Sequence, residues 1–205
     1  MKKNFLSFLA LIFLFSCSES STSISQEQHE IEPSKKYKWK MVTTWPKNYP
    51  GLGLAAENLS KYVYEMSNGR LDIKVYGAGE LVPAMGVFDA VSLGNVELGH
   101  GASYYWTGKL KSSQFYTAVP FGLTAQEINS WIHWGGGQEL WEEAYAPFNL
   151  IPLAGGNTGV QMAGWFNKEI NSIEDLKGLK MRIPGLAGDI LKRAGAETVV
   201  LPGSD

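Results

Sequence analysis

A single arginine near the C-terminus has the type and placement to hold a small anion. Arg182 closes the alternating run Leu179-Lys180-Met181-Arg182-Ile183. In a strand of that pattern Leu179, Met181 and Ile183 face the core, and Arg182 points to the other side. It stands at the strand's end, just before a helix expected from Pro184. The planar guanidinium can grip a carboxylate through two parallel hydrogen bonds, and a helix N-terminus adds favourable potential for an anion. Taken alone, the arginine reads first as a surface ion-pair residue. A second candidate lies upstream in Asn157-Thr158-Gly159-Val160-Gln161-Met162-Ala163-Gly164-Trp165-Phe166. Strand parity puts Gln161, Ala163 and Trp165 on one face, which suggests a lined cavity. Asn157, which opens the segment, counts as a further ligand contact. Trp45 and the trio Tyr104-Tyr105-Trp106 each follow an expected strand end. Ligands in open α/β sheets bind beyond such ends, so these rings are read as a shared ligand wall.

Other chemistry is poorly supported. The sequence holds neither H-E-x-x-H nor G-x-S-x-G, and His29, His100 and His133 are scattered; a zinc site or catalytic triad needs convergent partners. His100 reads as a packing residue at a strand end. Gly51-Leu52-Gly53-Leu54-Ala55-Ala56 fits G-x-G-x-x-A, with Asp72 downstream, but six residues (Trp45–Pro50) separate it from its strand. A dinucleotide site needs the glycines directly after the strand, so they are read as helix-start residues. A secreted carbohydrate-active enzyme needs paired acids in an aromatic cleft, and no acid stands at a strand end beside Trp45 or Tyr104.

The elements that must position these residues alternate. Strands are expected over Tyr37–Thr44, Leu71–Tyr76, Val96–Gly99, Leu150–Ala154, Val160–Phe166, Leu179–Ile183 and Thr198–Leu201. Helices are expected from Leu52 to Met66, Pro83 to Leu93, Gln138 to Tyr145 and Pro184 to Ala194. Another opens at the capping box Thr124-x-x-Glu127, and Ser172-x-x-Asp175 caps a short turn. The class is α/β with a mainly parallel sheet.

The N-terminus reads as an export signal over residues 1–16. Lys2 and Lys3 precede an apolar run from Phe5 to Phe15, too short to span a bilayer. The run ends in Leu-Phe-Ser-Cys, similar to a lipobox, so Cys17 is the expected lipidation site. It is the only cysteine, which rules out an internal disulfide. Residues 17–36 are polar and read as a flexible tether, placing the folded part outside the cytoplasmic membrane. No basic patch points to nucleic acid. The chain stops as a strand enters a turn at Asp205, which is expected to be a truncation.

At Thr43-Thr44-Trp45-Pro46-Lys47, Ala102-Ser103-Tyr104-Tyr105-Trp106, Gly156–Phe166 and Ile173–Arg182, the sequence resembles the solute receptors of tripartite ATP-independent periplasmic (TRAP) transporters. The branch it resembles binds 2-oxo acids and related monocarboxylates. The resemblance implies a two-lobed α/β receptor that closes by hinge motion. The first lobe would span residues 37–157, and residues 158–205 would supply the crossover strand and the beginning of the second lobe. It carries the family's carboxylate-binding arginine onto Arg182, and a glutamine ligand of a bound metal cation, sodium or calcium, onto Gln161. Trp45, Tyr104 and Tyr105 would line the cleft, and further cation ligands, an acid followed by tryptophan, are expected beyond Asp205. The implied partners are a small 2-oxo or 2-hydroxy carboxylate and the transporter's integral membrane subunits, with homodimerisation left open; no organic cofactor and no catalysis are expected. Receptors of the same family for C4-dicarboxylates or sugar acids, and a sensory protein on this fold, are the alternatives.

Overall fold

Alternation along the first strand sets the layers of the fold. The computed structural model describes residues 35–203; the expected signal, Cys17 and nearly all of the tether lie outside them. β1 (Tyr37–Thr43) runs between β2 (Leu71–Tyr76) and β3 (Leu98–His100) in a parallel sheet. On one face Met41 and Ile73 pack against Ala56 of α1 (Leu52–Met66), with Trp39, Val63 and Val75 around them. On the other, Val42 meets α2 (Val87–Ser92), α3 (Ala125–Trp134) and α4 (Gly137–Tyr145) through Val87, Phe88, Ile128, Ile132 and Trp141. The period of two in β1 therefore feeds two separate cores.

Local signals explain most boundaries. The helix-start reading of the glycines fits α1: a Cβ on Gly53 would run into the Pro46 carbonyl. The capping box opens α3 as expected, with the Glu127 amide donating to Thr124 Oγ1 and the Thr124 amide donating to Glu127 Oε2. Tyr116 stacks on both Trp131 and Trp141, at 5.8 and 5.1 Å between ring centres, and so ties the α3–α4 corner together. A second, smaller sheet pairs β4 (Lys180–Arg182) with β5 (Glu197–Val199) in parallel; α5 (Gly185–Arg193) lies between them in sequence.

Three expectations need correction. The helix from Pro83 is a 3-10 turn (Ala84–Gly86) leading into the short α2, because Pro83 has extended backbone, with ψ at 147°. The strands at 150–154 and 160–166 do not form: no ladder partner lies beside them among the described residues, and a strand exists only through its ladder. The face shared by Gln161 is open among the described residues. Ala163 is exposed, Trp165 is 89% exposed and Val160 91%.

Two measurements follow from this packing. Ile132, buried between α3 and the sheet, is expected to cost about 2–5 kcal/mol on Ile132→Ala, read from equilibrium urea unfolding. His100 ends β3 edge-on to Trp45, 4.9 Å between ring centres, and its Nδ1 is buried without a partner. Burial holds its pKa below the ordinary imidazole value. The unfolded chain thus binds the proton more readily, and His100 costs stability as pH falls through about 6.5. His100→Gln is expected to flatten the thermal midpoint between pH 7 and 5; an unchanged slope would remove His100 as its source.

Candidate functional site

The carboxyl ends of β1, β3 and β4 are followed by the residues singled out from the sequence. β1 runs into Thr44 and Trp45. The Trp45 carbonyl accepts from Thr43 Oγ1 at 2.6 Å and from the Ala78 amide at 2.9 Å. These bonds set the backbone that carries the indole, which is 5% exposed. β3 runs into His100 and then a 3-10 turn, Ser103–Trp106. Tyr104 and Tyr105 on that turn meet edge to face, 4.8 Å between ring centres. The Tyr104 amide donates to Thr117 Oγ1 at 3.2 Å.

Arg182 reaches this aromatic group from β4. Its Nη2 donates to the Tyr105 hydroxyl at 2.8 Å, and the guanidinium carbon lies 5.8 Å from the Tyr105 ring centre. Nε and Nη2 both donate to the Leu201 carbonyl, at 3.0 and 2.6 Å. Two residues on, Gly203 comes up beside the Trp45 indole and Arg182, and its carbonyl accepts from the Tyr49 hydroxyl at 3.4 Å. The surface ion-pair reading of Arg182 is not what the described residues display. Their ion pairs, Lys47–Glu80, Lys61–Glu65 and Lys109–Asp89, all lie elsewhere.

Close approach makes this meeting possible. Gly185, at the start of α5, has φ at +65°, and a Cβ there would stand 3.1 Å from Tyr104 Cβ. A side chain there would be strained at that φ and would crowd Tyr104. Burial, reinforced by the neighbouring Tyr105, pushes the Tyr104 pKa up to about 12, so its hydroxyl keeps its proton at all ordinary pH.

Gln161 and Asn157 are placed differently. The Gln161 carboxamide donates through Nε2 to Thr158 Oγ1 at 2.8 Å, and Asn157 Oδ1 accepts from the Gly159 amide at 2.7 Å. Both residues are exposed, and neither hydrogen-bonds to Arg182, Tyr105 or Trp45. Their segment meets β4 at Gly164, against Met181, whose side chain leaves the strand opposite to Arg182. For a cation, Gln161 offers a neutral oxygen of the type sodium or calcium takes. Among the described residues no cluster of three or more His, Cys, Asp or Glu joins it. One donor does not make a six-oxygen shell.

Sequence reasoning missed the Leu201 carbonyl, Gly203 and Tyr49. A backbone carbonyl leaves no mark in the sequence; the one available signal was Pro202, which holds the residue before it extended. A cleft of about 290 Å³ lined by Tyr37, Trp39, Ser67, Arg70 and Leu71 lies at the opposite, amino end of β1 and β2. Its walls bring no set of convergent polar groups, and it is not the candidate site.

The chain has close relatives among known proteins. A monocarboxylate 2-oxoacid-binding periplasmic protein of Nostoc sp. is 48% identical over 192 residues, covering 94% of this chain and 51% of the relative. A TRAP periplasmic solute-binding protein of Pseudoalteromonas atlantica, solved with bound sodium and pyruvate, is 50% identical with a TM-score of 0.81. That match covers 83% of this chain and 52% of the other. A counterpart from Colwellia psychrerythraea, solved with calcium and pyruvate, is 50% identical with a TM-score of 0.80, covering 82% and 51%. The chain thus spans about half the length of these relatives. The family model for bacterial extracellular solute-binding proteins, family 7, matches residues 41–205. The chain belongs to that family, and its fold is that of the TRAP periplasmic binding proteins.

Proposed function

We propose that this chain is part of an extracytoplasmic receptor that captures a small 2-oxo monocarboxylate and hands it to the membrane subunits of a TRAP transporter, without catalysis. The observation that carries the reading is the half-buried guanidinium of Arg182. It is held at the carboxyl ends of the strands by a carbonyl and a phenol rather than by an acid. A charge held by neutral acceptors still attracts an anion, and a carboxylate accepts charge-assisted hydrogen bonds from it. Relatives of about 50% identity whose structures hold pyruvate support the ligand class. On this reading residues 37–157 form the first lobe and 158–205 lead into the second. Trp45, Tyr104 and Tyr105 wall the cleft, and Asn157 and Gln161 join it when the lobes close. Gln161 would then give one oxygen to a sodium or calcium ion; the energy of carboxylate capture is assigned to Arg182 and its tyrosines.

Pyruvate added to the full-length protein at about a hundred times its Kd is expected to stabilise the fold by about 2.7 kcal/mol through mass action. Thermal melting reads this as a rise of several degrees. Arg182→Lys, which keeps the charge but loses the planar guanidinium that reaches Leu201, Tyr105 and the ligand at once, is expected to abolish most of that rise. Absence of any shift with pyruvate or other small carboxylates would sink the reading.

We further propose that Cys17 is lipidated and anchors the receptor to the outer face of the membrane, the polar residues 18–34 acting as its tether. Cys17→Ala is expected to move the protein from the membrane pellet to the soluble fraction. A wild-type protein already found wholly in the soluble fraction would exclude the anchor.

A further inference from the structure

The hydrogen bonds of Arg182 leave an uneven set of donors. A guanidinium carries five N–H groups. Nε–H and one Nη2–H go to the Leu201 carbonyl, and the other Nη2–H goes to the Tyr105 hydroxyl oxygen. Among the described residues, nothing accepts from the two N–H groups of Nη1. The edge usually offered to a carboxylate side-on, Nε with Nη2, is therefore taken by the protein itself.

We propose that the Leu201 carbonyl is the positioning group of the carboxylate site. It fixes the guanidinium side-on, so that an incoming carboxylate is met by the end-on N–H of Nη1 and, beside it, by the hydroxyl proton of Tyr105. This rests on the carboxylate reading above and assigns the contacts within it. Three observations support it. The carbonyl lies two residues past β5, the strand paired with the arginine's own. Arg182 pairs in register with Val199, and the Ile183 amide donates to the Val199 carbonyl at 3.1 Å, so Leu201 follows directly on that ladder. It therefore moves with Arg182 rather than across the cleft. Leu201 precedes Pro202, which restricts Leu201 to extended backbone, so the carbonyl is held in one orientation. Finally, the Tyr105 oxygen accepts from Nη2, which leaves its own O–H to donate elsewhere. Tyr105 thereby becomes a polar contact of the ligand as well as part of its wall.

The rival account makes the carbonyl a stand-in for the ligand, displaced on binding; the two accounts predict opposite signs. The test compares Pro202→Ala with Pro202→lactic acid in the full-length protein. The pair differs in having an amide or an ester after Leu201, and the ester carbonyl is the weaker acceptor. Calorimetric titration with pyruvate is expected to give a Kd about 3- to 10-fold weaker in the ester form, the size of one weakened hydrogen bond. In the Arg182→Lys background the amide–ester difference should vanish. Equal or tighter binding by the ester form overturns the proposal. In the ligand-free protein, nitrogen-15 NMR of the arginine side chains should find Arg182 Nε–H exchanging with water more slowly in the amide form than in the ester form. Equal exchange overturns the proposal even where pyruvate fails to bind. Failure of the unmodified protein to bind pyruvate speaks instead against the carboxylate reading.

Discussion

The charge of Arg182 sits between a backbone carbonyl and a phenol, and the character of the whole site follows from those neutral partners. A half-buried guanidinium needs its N–H groups satisfied, because unpaired charge away from water is costly. A carboxylate would satisfy them and also cancel the charge, closing the group to an incoming anion. The Leu201 carbonyl and the Tyr105 oxygen satisfy donors while leaving the positive potential in place. The Tyr105 ring adds a weak favourable interaction with the cation at 5.8 Å.

That arrangement asks two things of the fold. Loops from two different sheets must meet at one edge, and they must meet closely. Parallel β1, β2 and β3 satisfy the first, since their carboxyl ends all lie on the same side. The packed rings of α3, α4 and Tyr116 hold the second layer under the turn that carries Tyr104 and Tyr105. The closeness comes from Gly185, which brings the start of α5 against Tyr104 with no side chain in between. The meeting of Arg182 with Tyr104 and Tyr105 thus depends on a glycine.

How much of this was legible depended on whether the physics was local. The strand expected over residues 37–44, the helix over 52–66 and the capping box at Thr124 are set by period and by neighbours within a few residues, and all three form, the strand ending one residue early at Thr43. The parity of Leu179–Ile183 also put Arg182 on the face away from the core. The same parity argument failed over 160–166. Alternation specifies a face only where a neighbouring strand and a covering layer exist, and none accompanies this segment among the described residues. Leu201 and Gly203 escaped because their contribution is backbone, brought to Arg182 and Trp45 by tertiary folding.

If the cleft takes a carboxylate, as proposed, its charge balance bears on which one. Tyr104 stays neutral because burial pushes its pKa up to about 12, and burial lowers the pKa of His100 and favours its neutral form. Lys47, next to the Trp45 loop, is engaged with Glu80 at 3.0 Å. Among the described residues of the site, Arg182 therefore supplies one positive charge with no acid against it. A monocarboxylate matches that charge one to one. A dicarboxylate would bring a second negative charge out of water with no partner among these residues, a cost that unpaired charges rarely recover. On the proposed reading, the charge that these residues supply thus matches a monocarboxylate better than a dicarboxylate.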